Sequence, residues 1–216
     1  MGDTIKVYAL SQGQTLVKAA REVIKQRFIS DKPGANARQV LSNGFDQMNG
    51  LFVTLERYPS KALRGCVGFP RAVAPVRESL PEAALCAAFE DPRFPPVTAK
   101  ELDTITVEIS VLSSPTLIEG NPSDRAASVK VGRDGLIIEY SAYSGILLPI
   151  VPVEQGWDEA RFLAETCIKA GLPENYWTLP NPRLYKFESQ VFREETPSGK
   201  AVEVDLAGIK PEKVNK

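Results

Sequence analysis

The chain has 216 residues, 43% hydrophobic and 25% charged, an ordinary globular composition with enough apolar material for a real core. Its formal net charge is -1, so no global positive field draws it to nucleic acid or to an anionic membrane, and a nucleic-acid partner would have to meet a local patch. It contains no histidine, which removes Ser-His-Asp and Cys-His nucleophile pairs, H-E-x-x-H metalloprotease sites and two-histidine iron sites together.

No apolar run approaches the ~20 residues of a membrane span, and "MGDTIKVYAL" lacks the basic region, apolar stretch and cleavage site of a signal peptide. The expectation is a soluble, cytoplasmic protein. Cys66, Cys86 and Cys167 lie far apart with no C-x-x-C spacing, which argues against a zinc or iron–sulfur site and against a disulfide scaffold. Reduced thiols, no metal and no cofactor are expected.

In chain order, Leu16, Ala19, Ala20, Val23 and Ile24 recur at helical spacing in "SQGQTLVKAAREVIKQRF", and "SDKPGANARQ" breaks this helix into a loop. "GLFVTLERYP" and "LRGCVGF" read as an antiparallel hairpin. "VRESLPEAALCAAFE" has helical spacing, with Pro81 marking the first turn, and places Cys86 among buried helix positions. "DPRFPP" is a stiff connector and "TAKELD" a short helical turn. In "TITVEISVLSSP", Val107, Ile109 and Val111 share a core face of a strand, and Thr106, Glu108 and Ser110 share the other.

"TLIEGNPSDRAAS" reads as a polar excursion. "VKVGRDGLIIEYSAYSGILLPIVPV" reads as a meander of short strands, with turns at Asp134-Gly135 and from Ser141 to Gly145. "GWDEARFLAETCIKAGL" is the clearest helix, N-capped by Asp158, striped by Ala160, Leu163, Ala164, Cys167 and Ile168, and ended by Gly171. "NPRLYKFESQVFRE" is a last strand. The pattern predicts an α+β protein, one domain over residues 1–196 with a loose polar tail over 197–216.

The chemistry-bearing stretch is "LRGCVGF". Cys66 reads three ways: a nucleophile whose pKa Arg64 lowers, a small buried apolar residue, or part of a backbone turn in which Gly65 and Gly68 free the amides to hold an anion anchored by Arg64. Lys61, Arg64, Arg71 and Arg77 form a local positive run around it. "EDPRFPP" fixes Asp91 and Arg93 in a stiff loop, either as ligand groups or simply paired with each other. Glu108 and Ser110 stand on the non-core strand face as a candidate acid or base and a polar contact. Trp157, Trp177, Tyr176 and Tyr185 suit packing better than base stacking, and Lys169 and Arg193 read as solvated surface.

Taken together, "LRGCVGFP", "AAFEDPRFPPVTAKELD", "VEISVLSSP", "VGRDGLIIEY", "SGILLPIVPVEQGWDEARFLAETCIKAGL" and "YKFESQVF" resemble the AMMECR domain family, in order and spacing, across Leu51 to Arg193. The resemblance implies two lobes: a larger one built on an antiparallel sheet flanked by helices, and a smaller α/β one, with a cleft between them. It matches Arg64, Gly65, Cys66 and Gly68 to the R-G-C-x-G signature, Asp91, Arg93 and Phe94 to D-x-R-F, and Glu108 and Ser110 to the E-I-S strand. Where archaeal relatives carry Gln after L-L-P this chain has Ile150.

Family members occur fused to or encoded beside Memo-type dioxygenase-like proteins and radical S-adenosylmethionine enzymes, which implies a role in modifying a base, nucleotide or side chain. Two functions stay open. One is a cleft that binds, and modifies, a small anionic molecule, nucleotide or base. The other is an adaptor, not an enzyme, that docks such a partner enzyme.

Overall fold

A computed structural model of the protein describes residues 5–30 and 35–208. They form an α+β fold divided into two compact units, one of Lys6–Leu112 with Gln190–Val204, the other of Ser113–Ser189 with Ile5 and residues 205–208. No helix among the described residues is long and apolar enough to cross a membrane.

The first unit is built on β1 (Gly50–Arg57), β2 (Ala62–Phe69) and β3 (Ile105–Leu112), with β2 outermost and β1 between the other two. All pairings are antiparallel: Thr54 lies opposite Cys66 on β2 and opposite Glu108 on β3. β3 neighbours β7 (Arg183–Glu194), which pairs with β8 (Ala201–Glu203); the residues of β7 from Gln190 belong to this unit. The period of two divides the sheet cleanly. Leu51, Val53, Leu55, Val107, Ile109 and Val111 are buried in one cluster with Leu16, Ala20 and Val23 of α1 (Leu10–Gln26) and Leu80, Ala84 and Ala87 of α3 (Val76–Phe89).

Several local features depart from the sequence pattern for physical reasons. Part of the expected loop is a short helix, α2 (Ala35–Val40); residues 31–34 of that stretch lie outside the described residues. Pro81 sits inside α3 rather than in its first turn, because the helix already begins at Val76, whose N–H and that of Arg77 are taken by the carbonyls of Gln47 and Phe45. Residues 201–203, expected in a loose tail, pair with β7 and bury Ala201.

The second unit packs α5 (Glu159–Lys169) against β5 (Asp134–Tyr140) and β6 (Tyr143–Leu147), with β7 up to Ser189 beside β5 and β4 (Thr116–Leu117) pairing with β7. Its core joins Leu136, Ile138, Phe162, Leu163, Cys167 and Leu184, with Trp157, Tyr176 and Trp177 packed against it. Asp158 caps α5 as its type predicts, accepting from the Arg161 N–H at 2.7 Å.

Asp134-Gly135 opens β5 instead of turning: the positive φ falls at Gly132, and Asp134 folds the preceding turn by accepting the Lys130 N–H. Likewise the β5–β6 turn is only Ser141 and Ala142, so Gly145 lies within β6 opposite Ile138. "IVPVEQ", expected as strand, is the helix α4 (Ile150–Gln155). Pro149 at its cap and Pro152 in its first turn stand where no intrahelical donor is needed, and left-handed Gly156 stops it.

Candidate functional site

The R-G-C-x-G stretch occupies the middle of β2. A β-bulge between Leu55 and Glu56 leaves Arg64 as the extra residue between the Gly65 and Leu63 pairings, so strict alternation with Cys66 does not hold. Arg64 is only 1% exposed; its Nε and Nη2 donate to Glu101 at 2.8 and 3.2 Å, and its guanidinium lies 6.0 Å from the Phe94 ring. Glu101 takes the Nε and Nη2 of the guanidinium expected to anchor an external anion, while the buried Nη1 has no hydrogen-bond partner among the described residues. The Glu101 carboxyl is held down to about 2 chiefly by the Arg64 hydrogen bond. Of the rest of the positive run, Arg77 is paired with Asp46 and Glu78.

The two glycines answer to close approach. A Cβ on Gly65 would stand 2.1 Å from the Ala87 carbonyl oxygen of α3, and one on Gly68 would stand 2.1 Å from the Leu51 oxygen. Neither leaves its neighbours room for a side chain.

Cys66 is half-buried. Its Sγ accepts from the Thr54 hydroxyl at 3.3 Å; its N–H donates to Asp91 Oδ2 at 2.9 Å; its carbonyl accepts from Arg93 Nη2 at 3.1 Å. Asp91 and Arg93 are joined by two further bonds, Nε to Oδ1 at 2.9 Å and Nη2 to Oδ2 at 2.7 Å. That pairing holds Asp91 well below the usual carboxylate range. The thiol moves against the nucleophile reading, which has its pKa lowered: burial pushes it up, aided by the charges of Glu108 and Asp91, against the Thr54 hydrogen bond and the Arg93 charge. Arg93, not Arg64, is the cation that acts on it.

Across the sheet, Cys66, Thr54 and Glu108 form one row on the face away from α1 and α3. Glu108 is 3% exposed and accepts from Arg193 Nε at 2.5 Å; Arg193 also lies 3.7 Å from Glu56. Read from sequence as solvated surface, Arg193 is largely buried, because β7 brings it alongside β3. Ser110, 1% exposed, falls in the next row, with Phe52 and Gly68. The structure thus brings Cys66, Asp91, Arg93 and Glu108 together, and adds Thr54 and Arg193, for which the sequence held no signal beyond strand register.

Cys167 is fully buried as expected, whereas Cys86 is half-buried, its Sγ 3.5 Å from Glu90 and its pKa pushed up to about 11, first by burial and then by that carboxylate. Among the described residues no group of three or more Cys, Asp or Glu side chains is gathered to hold a metal ion.

These features define a class: an α+β protein whose first unit packs α1 and α3 on one face of an antiparallel sheet and carries a polar row, Cys66–Thr54–Glu108, on the other. Residues 17–192 match the AMMECR1 family, and the chain belongs to it. It is 49% identical to protein PH0010 of Pyrococcus horikoshii over 190 residues, 87% of this chain and 92% of that one. It is 45% identical to protein MJ0810 of Methanocaldococcus jannaschii over 203 residues, 94% of this chain and all of that one. The crystal structure of the uncharacterized PH0010 superposes with a TM-score of 0.88 at 46% identity, covering 93% of this chain and 100% of that one.

Proposed function

We propose that this protein binds a small polar molecule, with a nucleotide or modified base as the leading class, on the sheet face that carries Cys66, Thr54, Glu108 and Ser110. The supporting observation is the Cys66–Thr54–Glu108 row with Arg193 bonded to its end. Buried polar groups in mid-sheet cost desolvation that Val or Ile would avoid, and such concentrations mark working sites. A carboxylate beside a guanidinium offers acceptor next to donor, the pattern a base edge presents. Arg64, Gly65 and Gly68 serve the scaffold in this reading. The raised thiol sets binding ahead of covalent chemistry, with Cys66 a neutral hydrogen-bonding group and Glu108 the one carboxylate of the row.

The test is thermal unfolding of the full chain with nucleoside monophosphates, nucleosides, free bases and inorganic phosphate as separate probes. A ligand at 100 times its Kd adds ~2.7 kcal/mol, a rise of several degrees. The expected result is a rise with a base-containing probe that Glu108→Gln and Cys66→Ser reduce. No rise with any probe, or a rise indifferent to both substitutions, sinks the proposal.

A second reading, an adaptor, is favoured by one observation: Gly65, Gly68 and Asp91 are committed to contacts within the first unit, and Glu101 takes two of the three guanidinium nitrogens of Arg64. Its expected outcome is no response to the probes together with stoichiometric co-elution with a Memo-type or radical S-adenosylmethionine enzyme encoded beside it.

A further inference from the structure

The backbone N–H and C=O of Cys66 are both gripped from outside the sheet. In an antiparallel pair, alternate residues point N–H and C=O away from the partner strand. At Cys66 the outward donor meets Asp91 Oδ2 and the outward acceptor meets Arg93 Nη2, at 2.9 and 3.1 Å. Asp91 also accepts the Arg93 N–H at 3.1 Å, which ties both side chains to the backbone turn that presents them. A carboxylate and a guanidinium bonded to each other thus supply one acceptor and one donor at the spacing of a single residue's N–H and C=O. We propose that Asp91 and Arg93 are positioning residues for Cys66: they act through its backbone N–H and C=O, aim the thiol at Thr54 and the polar row, and leave recognition of the ligand to that row.

This rests on the binding face proposed above, and it divides the stretch between two tasks. Asp91 is buried while the Arg93 side chain is 46% exposed, so the clamp closes from the solvent side. The groups that face the thiol are Thr54 on β1, Glu108 on β3, and Asp91 and Arg93 in the loop after α3. The two clamp residues carry opposite charges, and that makes their positioning role separable from simple support of the fold. Loss of either one loosens the strand. Loss of the negative one eases ionisation of the thiol, and loss of the positive one opposes it.

The experiment is alkylation of Cys66 by iodoacetamide in the native full chain as a function of pH, read by peptide mass spectrometry, with amide exchange at Cys66 measured in parallel. Asp91→Asn is expected to lower the midpoint of the alkylation profile, and Arg93→Gln to raise it, each by about half a pH unit or more. Arg93→Lys keeps the charge and is expected to restore the midpoint, with the Asp91 bond to the Cys66 amide still in place. Asp91→Ala is expected to speed exchange of the Cys66 amide about tenfold, the loss of one charge-assisted bond.

Midpoints that move the same way in Asp91→Asn and Arg93→Gln, or a Cys66 amide as protected in Asp91→Ala as in the parent, overturn the proposal. Should Asp91→Ala not fold, the Arg93→Gln and Arg93→Lys pair decides alone. Failure here leaves the ligand screen of the preceding section untouched, and failure there leaves these midpoints readable.

Discussion

The two faces of the β1–β2–β3 sheet are made by the same strands, residue by residue in alternation, and they do different things. One face carries Leu51, Val53, Leu55, Val107, Ile109 and Val111 against α1 and α3, and burial of that apolar surface is what folds the unit. The other carries Thr54, Glu108 and Ser110, buried to a similar degree yet polar, with the half-buried Cys66 beside them. Similar burial with opposite chemistry teaches that exposure alone does not separate scaffold from site. The partners do.

The comparison can be broken most forcefully on the helix side. Arg21 of α1 and Glu194 are both almost fully buried, joined by two hydrogen bonds, and Arg21 also donates to the carbonyls of Leu102 and Ile105. Glu194→Ala strands that guanidinium and is expected to cost about 3–5 kcal/mol in urea unfolding. Next comes Gly65→Ala, which sets a methyl carbon against the Ala87 carbonyl and is expected to cost about 3 kcal/mol by pushing α3 off β2. A cost near zero for either would dissolve the claim that the fold depends on this face.

Glu101 gives a pH-dependent version. Its folded pKa of about 2 lies below its ordinary value of 4.5. A depressed carboxylate contributes stability that is complete above the unfolded pKa and is lost as pH falls through the folded one. Between pH 4.5 and 2 about 2 kcal/mol should therefore disappear, and Glu101→Gln should remove that slope. An unchanged acid limb in the variant refutes the assignment. The smallest effect is expected on the polar face: Thr54→Val should change stability by less than about 1 kcal/mol while weakening ligand binding, because its hydroxyl serves Cys66 rather than the core. A Thr54→Val protein that unfolds would put both faces in one category.

How much of this was legible follows from which interactions are local. The β1–β2 hairpin, β3 with its two faces, and the Asp158-capped α5 were readable because period and capping act within a few residues. α4 was not, since Pro149 and Pro152 look like helix breakers until both are seen in donor-free positions of a first turn. β4 and β8 are too short to carry a period, and β7 decides both.

In the site, Cys66, Asp91, Arg93, Glu108 and Ser110 stood out as residue types in a suggestive order, and the pairing of Asp91 with Arg93 was visible at a spacing of two. Their wiring was not. The bulge that turns Arg64 toward Glu101 depends on strand register, and the contact of Arg193 with Glu108 spans 85 residues. Arg193 looked like surface because nothing near it in the chain marks its partner.

The grip on Cys66 has a consequence for the molecule in company. β2 is the outer strand of its unit's sheet, and a bare outer strand solicits another chain to pair with it. With Asp91 and Arg93 seated on its midpoint, an incoming strand finds the central donor and acceptor already taken and a charged pair in its path. The same two side chains that fix one thiol therefore also act against self-association at high concentration, where stacking of like edges begins.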